Sequence, residues 1–458
     1  MQGDSRSQMR LPACVDSSLK RFFGPNWQVQ SVLGGGRSQA TLYRISTRLD
    51  SSLDSTRAEP RSSNSAECNS HSDLKQTRDS SLPSTQGQFT QGQFTQGQFT
   101  QDQSAQGQFS QGLLGCERSV VLKATRRADG TVLQQIHRYQ RHLSRKLGSW
   151  VSSPLSWRTG ELDETNTILI DDDEICWEWM RWLPGSVIAR VGEVNEHQLR
   201  SVARCLGAVH RESSQSLTKK ETIAFGRLSE TRDTRMEDRV LRLRRVAKDG
   251  WGKTKSQGAK LARNLAQGLI PSQGLELIRD ISSNEHFAFR SDVLRTKLEW
   301  IFNGIESRSV EWIRPLEQLA EGVQRNTASE CSWGHGDAWR GNWLFEGQQV
   351  SGLIDFGQAG FRWKGFDFAR LFGSLISETI QLPRGSSASV SHAWEIAWEV
   401  YCGEHPTPGY RLEDAILMHR ISTILTLELL LDRIDQSGVS RFDFDRLEEI
   451  VEMMEAML

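Results

Sequence analysis

The spacing of apolar residues divides this chain into two unlike parts, and this division constrains the fold more than any other feature. Strand patterns occur in WQVQSVL (27–33), ATLYRI (40–45), RSVVLKATRR (118–127) and TILIDDDEICWEWMRW (167–182). From Glu196 onward, apolar residues recur mainly at helical spacing. We therefore predict an α+β fold with a small antiparallel-sheet lobe, a hinge near Pro184 and Gly185, and a larger, mainly helical lobe.

A low-complexity segment at residues 47–116 interrupts the strand-rich part. QGQFT occurs there at residues 86, 91 and 96, and two degenerate copies follow. A period of five residues matches neither a helix nor a strand face, and one Phe per repeat buries too little area to offset chain entropy. We predict a disordered insertion between two strands, with a self-associating Gln- and Phe-rich segment as the alternative.

The resulting organisation has three parts. Residues 1–24 form a polar N-terminal arm, either a loose arm or a short helix. Residues 25–183 form the small lobe and contain the insertion, and residues 184–458 form the helical lobe.

Charge and cysteine usage narrow the choice of partners. The formal net charge of −1 provides no overall field that would attract nucleic acid or a membrane surface. The seven scattered cysteines contain no CxxC pair, which favours reduced thiols, and no apolar run approaches the ~20 residues that span a bilayer. We expect a cytoplasmic protein without nucleic-acid or membrane partners, although the basic run 236–264 leaves a nucleic-acid surface as the alternative to a solvated helix face.

Residues 335–342, HGDAWRGN, place an acid and an amide in one short polar loop. Asp337 and Asn342 are five residues apart, and Asp355 follows within LIDFG, after a buried-strand pattern. Kinases use the spacing H-x-D-x-x-x-x-N to combine a catalytic base with an Mg²⁺ ligand. A turn or a cap would explain any one of these residues, but the three together predict phosphoryl transfer.

Two features earlier in the chain supply groups that could bind the phosphates of ATP. Gly34, Gly35 and Gly36 separate two strand patterns, and glycine lets a backbone approach phosphate closely. Lys123 lies among apolar residues in SVVLKAT, where an inward-facing ammonium group requires an anion. For each feature alone, the alternative is an ordinary hairpin turn or an edge-strand Lys that points to water.

Five segments resemble the aminoglycoside phosphotransferase and choline kinase family: HGDAWRGNWLF, LIDFGQAGFRWKGFDFARLFGSL, LGGGRSQATLYRI, WEWMRWLPGS and LGAVHR. Members of that family are small-molecule kinases of protein-kinase-like fold. The resemblance covers residues 27–45 and 118–374 and is most specific over 333–374. It implies a phosphotransferase that uses ATP and Mg²⁺ to phosphorylate a hydroxyl of a small molecule.

The resemblance also implies a role for individual residues. Asp337 would be the base, and Asn342 and Asp355 would hold Mg²⁺. His335 and Asp367 would brace the loop, whereas Arg340 would either brace it or touch the substrate. The residues implied to bind ATP are Gly35, Gly36, Ser38, Lys123, Trp182 and Leu183.

The helical pattern at residues 131–148 departs from the family because it contains no Asp or Glu. Such kinases usually carry a Glu there that pairs with the strand Lys. Gln134, Gln135, Gln140 and, from the neighbouring hairpin, Glu178 are the candidate replacements. This departure and the long QGQFT insertion favour the alternative to an active enzyme, a weak or inactive kinase-like protein that binds nucleotide and acts through interactions. A protein kinase is disfavoured because HGD replaces HRD, and the acceptor is left open among a sugar, an amino alcohol, an aminoglycoside and other metabolites.

Overall fold

The structure is a computed structural model in which only part of the chain is described. The glycine-rich turn lies outside the described residues, as does the predicted insertion apart from its first residue, Thr47. The described residues are 11–23, 27–33, 41–47, 119–126, 130–157, 166–215, 234–248, 256–257, 260, 285–325, 331–376, 390–437 and 441–455.

The small lobe is a five-stranded antiparallel sheet with the strand order β1-β2-β3-β5-β4. An arm and a short helix were both open for the N-terminal segment, and its described part contains helix α1. Val15 and Leu19 lie on one face of this helix and enter the core of the sheet. Trp157 and Trp179 stack there with 5.3 Å between ring centroids. The bounds are α1 Ala13–Phe23, β1 Trp27–Leu33, β2 Thr41–Thr47, β3 Ser119–Arg126, β4 Ile168–Ile170 and β5 Ile175–Arg181.

Helix α2 (Gly130–Leu147) crosses from the small lobe to the large one. Ile136, Tyr139 and Leu143 follow the helical period and are buried in the core of the large lobe. The Tyr139 hydroxyl reaches the Trp333 carbonyl at 3.2 Å. The helix thereby joins the sheet to the segment that carries HGDAWRGN.

The large lobe consists mainly of helices around one hydrophobic core. No helix in the described ranges is long and apolar enough to cross a membrane. The helices are α3 Glu196–Gln215, α4 Thr234–Lys248, α5 Glu285–Arg325, α6 Gly365–Leu375, α7 Val390–Glu404, α8 Leu412–Ser437 and α9 Arg441–Glu455.

Two short two-stranded antiparallel sheets hold the loop of interest. β6 (Cys331–Gly334) pairs with β9 (Gly360–Trp363), and β7 (Trp343–Glu346) pairs with β8 (Gln349–Leu353). HGDAWRGN therefore runs from the end of β6 to the start of β7, and Asp355 follows the end of β8. The two pairs bring an acid from each connection to the same side of the lobe.

Acidification should destabilise the large lobe through His419, which is buried on α8 against Trp394 and Thr423. Burial, followed by the charge of Arg420, lowers the pKa of His419 to about 4. Between pH ~6.5 and this pKa the unfolded chain binds a proton that the folded protein excludes, so stability falls as the pH falls. The contribution of this residue is about 1.4 kcal/mol per pH unit.

The measurement is the free energy of unfolding from urea denaturation at pH 7, 6 and 5. We expect a smaller pH slope in His419→Gln than in the unchanged protein. The matched control is His392→Gln on α7, where the side chain is 51 % exposed. An equal slope in the two variants would contradict a neutral, buried His419.

Candidate active site

The loop HGDAWRGN is anchored from below by Asp367, a fully buried residue in the first turn of α6. Its carboxylate accepts hydrogen bonds from the backbone N–H of His335 at 2.7 Å and of Gly336 at 2.8 Å. Burial raises the pKa of Asp367, but the contact with His210 and the charge of Arg362 outweigh it, so the pKa is lowered. The bracing that the sequence implied for Asp367 is thus visible as two hydrogen bonds to a charged acceptor.

The backbone around Asp337 is fixed by its neighbours. Its N–H lies 3.3 Å from His335 Nδ1, and its carbonyl accepts a hydrogen bond from Asn342 Nδ2 at 2.8 Å. His335 Nε2 is also 2.8 Å from the Ile354 carbonyl. These contacts tie the loop to the strand that leads to Asp355.

Arg340 braces this loop and is buried, which resolves the choice that the sequence left open. Its guanidinium donates to the carbonyls of Ile188 at 3.1 Å and Ala189 at 2.8 Å, and it forms an ion pair with Glu449 of α9. Its backbone N–H donates to Ser374 Oγ at 2.9 Å. Because the guanidinium is bound in this way, it is not presented to a substrate.

Asp337 carries an ion pair that sequence reasoning missed. Its Oδ1 pairs with the guanidinium of Arg370, one turn after Asp367 on α6, and both side chains are 19 % exposed. An Arg three residues after Asp367 was visible in the sequence. No local pattern, however, indicated that its side chain reaches the loop.

Lys123 and Asp355 meet across the two lobes, with 3.1 Å between Nζ and Oδ1. Lys123 also lies directly opposite Glu178 in the register of β3 and β5. Burial lowers the pKa of Lys123, but the charges of Glu178 and Asp355 outweigh this effect and raise it. Lys123 is thus an ammonium group held between two carboxylates.

Glu178 is the acid that lies beside Lys123, although it comes from β5 and not from α2. The contribution of α2 is His137, whose Nε2 is 2.6 Å from Glu178 Oε2 and whose Nδ1 is 2.8 Å from Thr167 Oγ1. Burial raises the pKa of Glu178, but the hydrogen bond from His137 and the charge of Lys123 outweigh it, so the pKa is lowered. The helix therefore supports the acid instead of supplying it.

A cavity of about 260 Å³ lies between the lobes. Its apolar wall includes Leu42, Val121, Met180 and Leu344, and its polar end includes Lys123, Glu178 and Asp355. A mostly apolar cleft with a few convergent charged groups is the usual form of a small-molecule site.

The predicted site residues divide into three groups by position. Lys123, Trp182, Leu183 and Asp355 line the cavity. Asp337 and Asn342 lie on the loop beside it, and Asn342 is joined to the Asp355 segment by a 3.0 Å hydrogen bond from the Ile354 N–H to the Asn342 carbonyl. The other three, Gly35, Gly36 and Ser38, lie outside the described residues.

The oxygen atoms of Asn342 and Asp355 suit a hard cation. Mg²⁺ typically takes one or two carboxylates from a protein and completes its shell with water and phosphate. The described residues contain no group of three His, Cys, Asp or Glu side chains that could hold a metal by themselves. Asp355 has a left-handed backbone (φ 55°), a strained conformation for a residue other than glycine that is often found at functional sites.

Comparisons with known proteins agree with this geometry. The sequence matches the model of the phosphotransferase enzyme family (APH) over residues 112–412, which is more than half of the chain. No curated protein sequence matches the chain. The spectinomycin phosphotransferase APH(9)-Ia, solved with ADP and spectinomycin, is 11 % identical with a TM-score of 0.51, and the match covers 98 % of this chain and 99 % of that one. The likeness is one of fold, and it confirms the predicted protein-kinase-like, two-lobed architecture.

Two further solved structures are less similar by TM-score. The amicoumacin kinase hAmiN, in complex with AMP-PNP, Ca²⁺ and Ami, is 15 % identical with a TM-score of 0.43, and the match covers 74 % of this chain and 82 % of that one. An aminoglycoside phosphotransferase from Alicyclobacillus acidocaldarius is 12 % identical with a TM-score of 0.42, and the match covers 74 % and 84 % of the two chains.

Replacing Asp367 with Asn should destabilise the protein by about 3 kcal/mol. The amide has one acceptor oxygen, so its NH₂ group would face one of the two loop N–H groups and leave that donor unpaired. The measurement is urea denaturation combined with hydrogen exchange at the His335 and Gly336 amides, one of which should lose its protection.

The matched control is Glu395→Gln on α7, where the carboxylate is 66 % exposed. This change should alter the free energy of unfolding by less than about 0.5 kcal/mol. Equal stability of the two variants would show that Asp367 does not anchor the loop.

Proposed function

Because the chain belongs to the phosphotransferase enzyme family, we propose that it transfers the γ-phosphate of ATP to a hydroxyl group of a small molecule. The observation that supports this proposal best is the convergence of Lys123 and Asp355 at the polar end of one cavity, beside the loop that carries Asp337. Phosphoryl transfer requires these components: a cation for the phosphates, oxygen ligands for a metal, and a carboxylate for the acceptor hydroxyl.

Asp337 is the proposed base. One of its carboxylate oxygens would accept the proton of the acceptor hydroxyl while the hydroxyl oxygen of the acceptor attacks the γ-phosphorus. Asn342 and Asp355 would hold Mg²⁺, which when bound neutralises charge on the phosphate oxygens. Lys123 would contact the phosphates. The carboxylate of Asp355, which now pairs with Lys123, would then bind the metal.

The apolar part of the cavity is the proposed adenine site. Trp182 and Leu183 follow β5 at the junction of the lobes and line this part of the cavity. The backbone of this junction would bond the adenine edge, while Gly35, Gly36 and Ser38 would cover the phosphates. The spectinomycin phosphotransferase with this fold was solved with ADP and an antibiotic acceptor, so a nucleotide and a small-molecule acceptor are the ligands we propose here.

Two features favoured the inactive alternative: the missing helix acid and the long QGQFT insertion, which lies outside the described residues apart from Thr47. Glu178 lies opposite Lys123 and supplies the negative charge that α2 lacks, and His137 holds Glu178 in place. The described residues therefore retain an acid beside the strand Lys. We propose an active enzyme on this basis.

The substitution Asp337→Asn should lower acceptor-dependent ADP release by about 100-fold or more, because the amide cannot accept the hydroxyl proton. ATP affinity should change little, since the proposed nucleotide contacts lie elsewhere in the cavity. The measurement is coupled ADP release over a panel of sugars, amino alcohols and aminoglycosides, with calorimetry for ATP binding.

The matched control for this change is Asp172→Asn, in the exposed turn between β4 and β5. It removes one carboxylate without touching the cavity and should keep full turnover. Turnover that survives in Asp337→Asn would identify another group as the base.

ATP binding should depend on Mg²⁺, and Asp355→Asn should weaken this dependence. A neutral amide is a poorer ligand for a hard divalent cation than a carboxylate. Calorimetric titration of ATP with Mg²⁺ and with EDTA measures the effect. Equal affinities in the two conditions would contradict the metal site, and no binding in either would contradict the proposed enzyme.

A further inference from the structure

Arg370 directs its guanidinium to the proposed base and not to the scaffold. The ion pair with Asp337 Oδ1 is the polar contact of this side chain within the described ranges, where its buried Nε has no hydrogen-bond partner. The side chain is 19 % exposed, so its charge is largely removed from water, and the ion pair with Asp337 offsets the resulting desolvation cost.

The other arginines around the loop have different partners. Arg340 bonds the carbonyls of Ile188 and Ala189 and pairs with Glu449 of α9. Arg362 donates to the Gln358 carbonyl beneath the loop. These two side chains hold backbone segments together, as structural arginines commonly do. Among the described residues, Arg370 differs because it bonds only a carboxylate whose backbone is already fixed.

The contacts of the loop fix the backbone of Asp337, but they do not fix the rotation of its side chain. Its N–H and carbonyl are bound by His335 and Asn342, so the main chain is set without Arg370. The carboxylate itself could still turn about its side-chain bonds. A guanidinium on Oδ1 removes that freedom and leaves Oδ2 as the available acceptor.

We propose that Arg370 is a positioning residue that orients the Asp337 carboxylate so that Oδ2 receives the acceptor hydroxyl. This inference rests on the phosphotransferase function proposed above. Helix α6 then fixes the site twice: Asp367 holds the loop backbone and Arg370, one turn later, holds the side chain of the base. Alignment of this kind matters because a small misplacement of a reacting group lowers the rate about 100-fold.

The transfer step balances with Arg370 as a spectator. The acceptor oxygen forms a bond to the γ-phosphorus, and the bond from that phosphorus to the β–γ bridging oxygen breaks with its electron pair left on ADP. The hydroxyl proton passes to Asp337 Oδ2. Arg370 stays bonded to Oδ1 and neither gains nor loses a proton.

The test compares Arg370→Ala and Arg370→Lys in the full chain, with the best acceptor from the ADP-release panel. We expect kcat to fall about 10- to 100-fold in Arg370→Ala, with the KM for ATP and the calorimetric Kd for ATP within about twofold of the unchanged protein. Arg370→Lys should retain part of the lost rate, since an ammonium group can also bond Oδ1. Added ethylguanidinium should restore part of the rate of Arg370→Ala.

The matched control is Arg411→Ala, which removes a 76 % exposed Arg that pairs with Asp414 on α8. It should leave kcat unchanged. Thermal unfolding of each variant reports folding separately, and if Arg370→Ala does not fold, Arg370→Lys carries the comparison of kcat with ATP affinity.

The outcomes separate this inference from the proposed function. Full kcat in both Arg370 variants, with Asp337→Asn inactive, would overturn the positioning role alone. Equal loss of kcat and of ATP affinity, without rescue by ethylguanidinium, would assign Arg370 a structural role and also overturn it. If no acceptor is phosphorylated, ATP hydrolysis is measured with water as the acceptor. Failure of the unchanged protein in both assays would overturn the proposed function together with this inference.

Discussion

The buried carboxylate of Asp367 is the interaction on which the rest of the site depends. A charge that is fully removed from water must be compensated, and here two backbone N–H groups of the loop, the contact with His210 and the charge of Arg362 provide the compensation. The loop also needs Asp367, because its two N–H groups are themselves buried and would otherwise lack an acceptor. Gly334 has no side chain for a related reason: a Cβ there would lie 2.6 Å from Asp367 Oδ2. A side chain at position 334 would therefore force β6 and α6 apart.

A chain of paired polar and charged side chains connects the two lobes. Asp355 of the large lobe pairs with Lys123 of the small lobe, Lys123 faces Glu178, and Glu178 bonds His137 of α2. Each contact lowers the cost of burying the two groups that it joins. The ends of this chain differ, since His137 is fully buried whereas the side chain of Asp355 is 38 % exposed. The exposed end faces the cavity, where a ligand could change the balance.

The sequence predicted the parts of this structure that depend on local pattern. The strands around Lys123, the helix at 131–148 and the connection that carries Asp337 follow from apolar periodicity and motif spacing, and the family match confirms the resemblance. What the sequence could not supply depends on register and packing. Glu178 lies beside Lys123 because of how β3 and β5 pair, and a shift of one residue would turn it to the other face. Arg370 reaches Asp337 only because Asp367 fixes where α6 meets the loop.

The ion pair between Arg340 and Glu449 can form only after α9 has been synthesised, so it is a late step in the assembly of the site. The two residues are separated by 109 positions, and the segment between them includes α6, α7 and α8. During synthesis, the loop emerges from the ribosome well before α9. Until α9 is made, Arg340 lacks the carboxylate of Glu449 as a partner. Contacts between such distant positions form late because closing a long stretch of chain is entropically costly. The loop of a nascent chain therefore lacks its contact with α9 until that helix has been synthesised and has docked.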